Sequence, residues 1–379
     1  MKVFTTLYKH GSSWSAPLPD WDSTSTLVLA LGSPKLANDP TWLKDLRTRF
    51  PQAAITGCST AGEIFNGKIE DDSVAVAIVK MDKSRLKLAC AEIQAIEGSS
   101  LVGQNLIEQL WAPDLKGIFV MSDGLNVNGS ELVAGLNSRG LQAVTVTGGL
   151  AGDGADFKKT WVINDAQLSS GIVTAVGFYG SQVQIGHGSR GGWDIFGPER
   201  FITRSKGNVL FELDGQSALG LYKKYLGERA GELPASGLLF PLQIRDHSNK
   251  GKFLVRTILS VDEKSGSLIF AGDVPQGWSA QLMKANFDRL VDGAASAADQ
   301  VLSFPDVVGP SLTIAISCVG RRLVLRERAE EEIEAILDRL PNTHQIGFYS
   351  YGEISPTEKF LNCELHNQTM TLTTISEAA

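Results

Sequence analysis

An internal repeat constrains this chain more than any other feature. Leu27 to Lys35 (Leu-Val-Leu-Ala-Leu-Gly-Ser-Pro-Lys) reads as a buried strand running into a turn. A helical pattern at Trp42 to Leu46 follows, and Phe50-Pro51 stops it. A second strand then delivers Gly57-Cys58-Ser59-Thr60-Ala61-Gly62-Glu63-Ile64. The same grammar recurs near the C-terminus. Strand Leu312 to Ser317 meets a turn at Gly320, a helix covers Arg328 to Leu340 before Pro341, and Gly347-Phe348-Tyr349-Ser350-Tyr351-Gly352-Glu353-Ile354 follows. Both copies carry a glycine, four residues, then Gly-Glu-Ile. A looser copy lies between them: strand Ile118 to Met121, a helix from Gly129 to Leu136, and Val144 to Thr147 ending in Gly148-Gly149-Leu150-Ala151-Gly152-Asp153-Gly154. More β-pattern follows each glycine loop, at Val74 to Val79, Ile172 to Tyr179 and Met370 to Ile375. The expectation is an α/β (α+β) fold of two domains, built from strand–helix–strand units with mixed sheets and glycine-rich loops at strand ends.

The stretch between the repeats differs. Val209 to Gly215 reads as a strand and turn, Ala218 to Tyr225 as a short helix, Arg256 to Phe270 as a hairpin, and Gln281 to Leu302 as a helix. Gly231 to Ser236 is the expected domain boundary, because glycine and proline break the pattern there. The length of 379 residues suits two domains. A net charge of −7 argues against nucleic acid as the partner, since a backbone binder needs a basic face. No apolar run reaches the roughly 18 residues of a membrane helix, and the N-terminus has no signal-peptide core. A cytoplasmic protein is expected, with Cys58, Cys90, Cys318 and Cys363 reduced and mostly packed in cores; no CxxC pair suggests zinc or a disulfide framework.

Glycine-ended strands suit ligand contact, because a backbone without Cβ can approach a ligand closely. On that reading Cys58, Ser59, Glu63, Gly149, Asp153, Tyr351 and Glu353 line a pocket; the alternative is that the glycines only shape turns and corners. No phosphate loop and no HExxH is present, and Gly57 to Ala61 misses the GxSxG elbow at its last position. Cys58 is the one nucleophile candidate, and it needs a basic partner that sequence does not supply. The chain is therefore expected not to be an enzyme. Among the five histidines, His10, His247 and His344 read as surface residues, and His366 as a hydrogen-bonded structural one. His187, between glycines, is open either to a metal or ligand role or to a plain loop role. Arg190, Arg200 and Arg204 suit anionic groups or a solvated face. Trp193 and Phe196 suit a pocket wall or core.

Several motifs together resemble FIST-domain proteins: the glycine loops 57–64, 148–153 and 348–356, Gly192-Trp193-Asp194 with Phe196-Gly197-Pro198-Glu199-Arg200, Leu213-Asp214-Gly215, and Leu365-His366-Asn367-Gln368-Thr369. The resemblance spans about Ser25 to Ile375. It implies a FIST N-terminal sensory domain at 25–230, a FIST C domain at 231–375, and an intracellular sensor of small ligands such as amino acids. The chain also resembles the family's haem-carrying, nitric-oxide-sensing branch, the NosP proteins. That branch implies non-covalent haem and a partner histidine kinase or cyclic-di-GMP enzyme. His187 is then the first choice of iron ligand, with Trp193 and Arg200 among the ligand-binding residues. A haem-free metabolite sensor and a Cys58-dependent enzyme stand as the alternatives.

Overall fold

The computed structural model describes residues 1–379 except 12, 141–142, 249–252, 303–309, 358–359 and 379. Asn249 to Gly251, in the polar loop around His247, thus lie outside the described residues. The first repeat contains β1 (Lys2–Lys9), β2 (Thr26–Gly32), α1 (Thr41–Arg49), β3 (Ala54–Ser59), a small hairpin β4 (Glu63–Phe65) and β5 (Lys68–Glu70), and β6 (Ser73–Lys80). The second contains β7 (Arg85–Glu92), α2 (Ser99–Leu110), β8 (Leu115–Ser122), α3 (Gly129–Leu136), β9 (Thr145–Leu150), hairpin β10 (Val162–Asn164) and β11 (Gln167–Ser169), and β12 (Ile172–Tyr179).

The third repeat opens with β13 (Val183–Arg190) and is then interrupted. The insert comprises β14 (Trp193–Ile195), β15 (Arg200–Lys206), β16 (Val209–Leu213), β17 (Gln216–Ser217), α4 (Ala218–Leu226), β18 (Leu242–Arg245), β19 (Phe253–Arg256), β20 (Ile258–Asp262), β21 (Ser267–Phe270) and β22 (Ser279–Ala285). The chain returns through α5 (Phe287–Leu302) to β23 (Leu312–Cys318), α6 (Val319–Leu325), α7 (Ala329–Arg339), β24 (His344–Ser350), hairpin β25 (Gly352–Thr357) and β26 (Phe360–His366), and β27 (Met370–Glu377). The helix expected over Gln281 to Leu302 is corrected here. Residues 279–285 form a strand because they lie between β18 on one side and β14 and β15 on the other. The helix starts only after Asn286, whose carbonyl oxygen accepts the Leu290 N–H at 2.9 Å. Gly320 lies inside α6. The expected boundary at 231 falls within the 3-10 turn Gly227–Glu232 of the insert.

Three sheets share one plan. In each, two parallel strands (β2 with β3, β8 with β9, β23 with β24) are flanked by two antiparallel ones. Each sheet is completed by a hairpin from another repeat. β10–β11 joins the first sheet, β25–β26 the second and β4–β5 the third, so the exchange closes in a circle. The inward faces meet in a central apolar core containing Leu29 and Cys58, Phe119 and Val176, and Ile314 and Phe348. Helices cover the outer faces, which is why strands such as β2 are buried throughout: Leu27, Leu29 and Leu31 face the centre, Val28 and Ala30 the α1 side.

The repeat's glycine has a physical task at this hub. A Cβ on Gly57, Gly148 or Gly347 would lie 1.7, 2.0 or 1.9 Å from the carbonyl oxygen of Ala30, Val120 or Ala315 in the parallel neighbour strand. Just beyond, backbone bonds stitch the repeats together. The Ala61 N–H donates to Tyr349 O (2.8 Å), Gly152 to Ser59 O (2.9 Å) and Tyr351 to Leu150 O (3.2 Å). The insert forms its own nine-stranded sheet and its own core, around Leu210, Tyr222, Ile244 and Phe270.

Candidate functional site

A cavity of about 700 Å³ lies where the insert meets the third repeat. The ring supplies the end of β13 (Ser189, Arg190), Gly191 and Gly192, then Thr357, Glu364 and His366 from the exchanged hairpin, and Thr369. The insert supplies Trp193, Asp194 and Ile195 from β14, Gln243 from β18, Phe253 to Val255 from β19, and Met283 from β22; Arg289 comes from α5. Register explains the apolar wall. Ile195 pairs opposite Met283 and Gln243 opposite Val255, and directly opposed residues share a face of an antiparallel sheet. Ile195 (49% exposed) and Phe253 (53%) mark the mouth.

Polar groups are fixed around that wall. The Trp193 indole N–H donates to Gln368 O at 2.9 Å, which holds the ring in place. Asp194 accepts from the Arg289 guanidinium and from Asn286 Nδ2 (3.2 Å). His366 Nε2 lies 3.0 Å from Ser355 O. A carbonyl oxygen can only accept, so Nε2 carries the proton and neutral Nδ1 keeps a lone pair. Burial lowers the His366 pKa, which favours that neutral form.

The residues expected to line a ligand pocket fall into separate places. Cys58 sits in the central core, and burial raises its thiol well above the ordinary value. Ser59 Oγ accepts the Trp161 N–H at 3.0 Å. Glu63 accepts from Thr60 Oγ and from the Ser73 N–H and hydroxyl; Glu353 accepts from Ser350 Oγ and from the Thr369 N–H and hydroxyl. Burial raises both carboxyls to about 8. Asp153 accepts the N–H groups of Phe157, Lys158 and Lys159 and the Tyr351 hydroxyl, while Phe157 stacks on the Tyr351 ring at 4.5 Å. Gly149 packs against Ile316 and Phe348. These seven residues gather about the hub and none is itself a lining residue, though Glu353 holds Thr369, which is one.

Of the residues singled out in the sequence for ligand contact, Trp193 and Arg190 line the cavity. Arg200 belongs to the insert, with its guanidinium on Asp214 (3.0 Å) and the Tyr225 hydroxyl (2.8 Å). His187 stands mid-strand on β13 opposite Thr373, half-buried, with burial lowering its pKa to about 4; it is not among the lining residues. Sequence reasoning missed His366, Asp194 and Arg289 as a group. The one available signal was their neighbourhood, since Gly192-Trp193-Asp194 and Leu365 to Thr369 are two of the motifs that carry the resemblance. Phe253 and Met283 carry no such mark. Among the described residues no group of three or more His, Cys, Asp or Glu side chains is placed to hold a metal ion. No described helix is long and apolar enough to cross a membrane.

The ring of three repeats and its insert thus leave a cavity of ligand size at their junction. The chain matches the FIST N domain over residues 26–216 and the FIST C domain over 218–356, and it belongs to the FIST family. FIST domains mark a sensor of signal transduction. An uncharacterized protein of Methanocaldococcus jannaschii is 25% identical over 356 residues, which cover 81% of this chain; the chain spans 65% of that relative's length. A crystal structure of cyanuric acid hydrolase from A. caulinodans aligns over 78% of this chain and 100% of its own, at 10% identity and a TM-score of 0.19, too low to carry an argument.

Proposed function

We propose that the junction cavity is the sensory site of this FIST protein, and that the chain binds a small ligand and reports to a partner instead of catalysing a reaction. The observation behind this is that ring and insert both wall the cavity. A ligand touching both bodies binds one arrangement of them better than another, and only such differential affinity shifts an equilibrium. The lining chemistry selects the ligand class. Arg289 and Arg190 suit a carboxylate, Asp194 and Glu364 suit an ammonium, and Trp193, Phe253 and Met283 suit an apolar side chain. An apolar α-amino acid carries all three features. The buried, high-pKa thiol of Cys58 supports the non-catalytic reading.

Haem is the second reading, favoured by His366. A neutral imidazole in the cavity lining, its other nitrogen held by a backbone carbonyl, would suit holding a haem iron. Arg190 and Arg289 would hold propionates, and bound haem would supply an iron that takes nitric oxide. His187, outside the lining, is the less suitable ligand. A histidine kinase or cyclic-di-GMP enzyme remains the proposed partner. Thermal shift against the proteinogenic amino acids and haemin tests both readings. An apolar amino acid that stabilises wild type but not Trp193→Ala or Arg289→Ala supports the first. A Soret band lost in His366→Ala and kept in His187→Ala supports the second. Stabilisation by none of these ligands refutes both.

A further inference from the structure

A fully buried ion pair ties the cavity to the hub of the ring. Arg321 on α6 and Glu332 on α7 are both 0% exposed and 2.8 Å apart. The other oxygen of Glu332 accepts from Ser317 Oγ (2.9 Å) and from the Tyr349 hydroxyl (3.0 Å). Tyr349 is itself a hub residue, since its backbone oxygen accepts from Ala61 and its N–H donates to Gly62. In the other direction, Arg321 donates to Gly191 O (2.9 Å) and Leu290 O (2.8 Å).

Those two carbonyls are where the chain leaves the ring for the insert and where it comes back. Gly191 follows β13 and lines the cavity; Leu290 lies in α5, next to the lining residue Arg289. The two segments cross in close contact. A Cβ on Gly293 would lie 2.0 Å from Gly191 O, and one on Gly192 would lie 2.3 Å from Arg289 O. A buried ion pair adds little stability over an apolar replacement, so its use is in fixing geometry. Here the rigid guanidinium fork fixes the crossing on which the cavity's Trp193 and Arg289 are carried.

We propose that Arg321 is a positioning residue that couples the state of the cavity to the ring hub, through Glu332 and Tyr349. This rests on the cavity being the ligand site. The test uses the full chain with anilinonaphthalene sulfonate, an apolar anion, as cavity probe, and hydrogen exchange of the ligand-free protein as a second readout. The variants are Arg321→Lys, which keeps the charge and loses the fork, and Tyr349→Phe, which removes one hydroxyl remote from the cavity. Coupling predicts that Tyr349→Phe changes dye affinity between about twofold and about thirtyfold. It also predicts faster exchange at residues 191–195 and 287–293 in both variants, with β1 and β6 unchanged. If Tyr349→Phe leaves exchange at 191–195 as in wild type, the coupling is overturned, even where Arg321→Lys alters it. If the dye does not bind wild type, or binds Trp193→Ala equally well, the cavity reading fails as a dye site, and exchange alone decides the coupling. Should Arg321→Lys not fold, Tyr349→Phe carries the test.

Discussion

Raising the pH through neutrality should destabilise the hub, with a slope set by two carboxyls. Glu63 and Glu353 are 1% and 0% exposed, and burial raises each from 4.5 to about 8. Their hydroxyl and backbone donors act the other way; Asp71 adds to the rise at Glu63, and Arg321 opposes it at Glu353. Between 4.5 and about 8 the native protein therefore keeps two protons that the unfolded chain releases. The stability they carry is complete below 4.5 and is lost as pH rises through 8. Each retained proton contributes about −1.4 kcal/mol per pH unit, and the pair about −2.7. Histidines whose pKa desolvation lowers have the opposite sign. His187, His344 and His366 have pKa values lowered from 6.5, so their contribution is present above 6.5 and lost as pH falls. The unfolded chain's histidines are half protonated at pH 6.5, so their titration overlaps the carboxyls there, and the carboxyl contribution is the difference in slope between wild type and the glutamine variants over the interval from about pH 6.5 to about pH 7.5. Urea unfolding across it, for wild type, Glu63→Gln, Glu353→Gln and the double variant, measures the slope. Glutamine keeps an acceptor for the Ser73 or Thr369 N–H and gives Thr60 or Ser350 a donor. Each single variant should make the slope less negative by about 1.4 kcal/mol per pH unit, and the double variant by about 2.7. A slope indifferent to both substitutions would refute the reasoning.

Two further outcomes follow from packing. Gly148→Ala, at φ 151° with a Cβ 2.0 Å from Val120 O, should cost about 2–6 kcal/mol in strain and overpacking. Gly140→Ala, at φ 62° with nothing within 4 Å, should cost only about 1–2 kcal/mol; calorimetric Tm values that fall equally for the two would show that the hub contact does not matter. Thiol labelling of the native protein should reach half-buried Cys90 first and reach Cys58, Cys318 and Cys363 only on unfolding. Labelling of Cys58 at the rate of Cys90 would contradict its place in the central core.

The strand–helix–strand grammar was legible because apolar runs and glycine punctuation are local properties of the chain. The exchange of hairpins was not. A short hairpin such as 63–70 looks the same in sequence whether it pairs with its own sheet or a neighbour's, and only contacts nearly 300 residues apart, such as Phe348 opposite Glu63, decide. The cavity was illegible for a related reason. It draws single residues and short runs from strands far apart in both bodies, so no single period marks Gln243, Val255 and Met283 as neighbours. Glycine loops signalled close approach correctly in kind. The partner approached is the carbonyl of Ala30, Val120 or Ala315 in the parallel strand, a contact that sequence cannot tell from a ligand's.

The looseness of the middle repeat has a physical explanation in the same currency of buried hydrogen bonds. Glu63 and Glu353 each accept a backbone N–H at the entry of the strand that closes their repeat, from Ser73 and from Thr369, both at 3.2 Å. The middle repeat has Asp153 after its Gly152, and that carboxylate is occupied by its own loop. The entry of its closing strand still presents the Gly171 N–H, which a buried site must pair. Asp123, at the end of β8, meets it at 2.7 Å and also accepts from Leu125, Asn126 and Thr160. The acceptor has moved from one strand end to another while the donor it serves has stayed. A search for Gly-Glu-Ile finds two repeats, whereas a search for who satisfies the closing strand finds three. On that view Asp123→Asn, which turns an amide NH2 toward groups that donate to the carboxylate, should lower the calorimetric Tm more than Glu63→Gln does, although the two positions serve the same donor in their repeats.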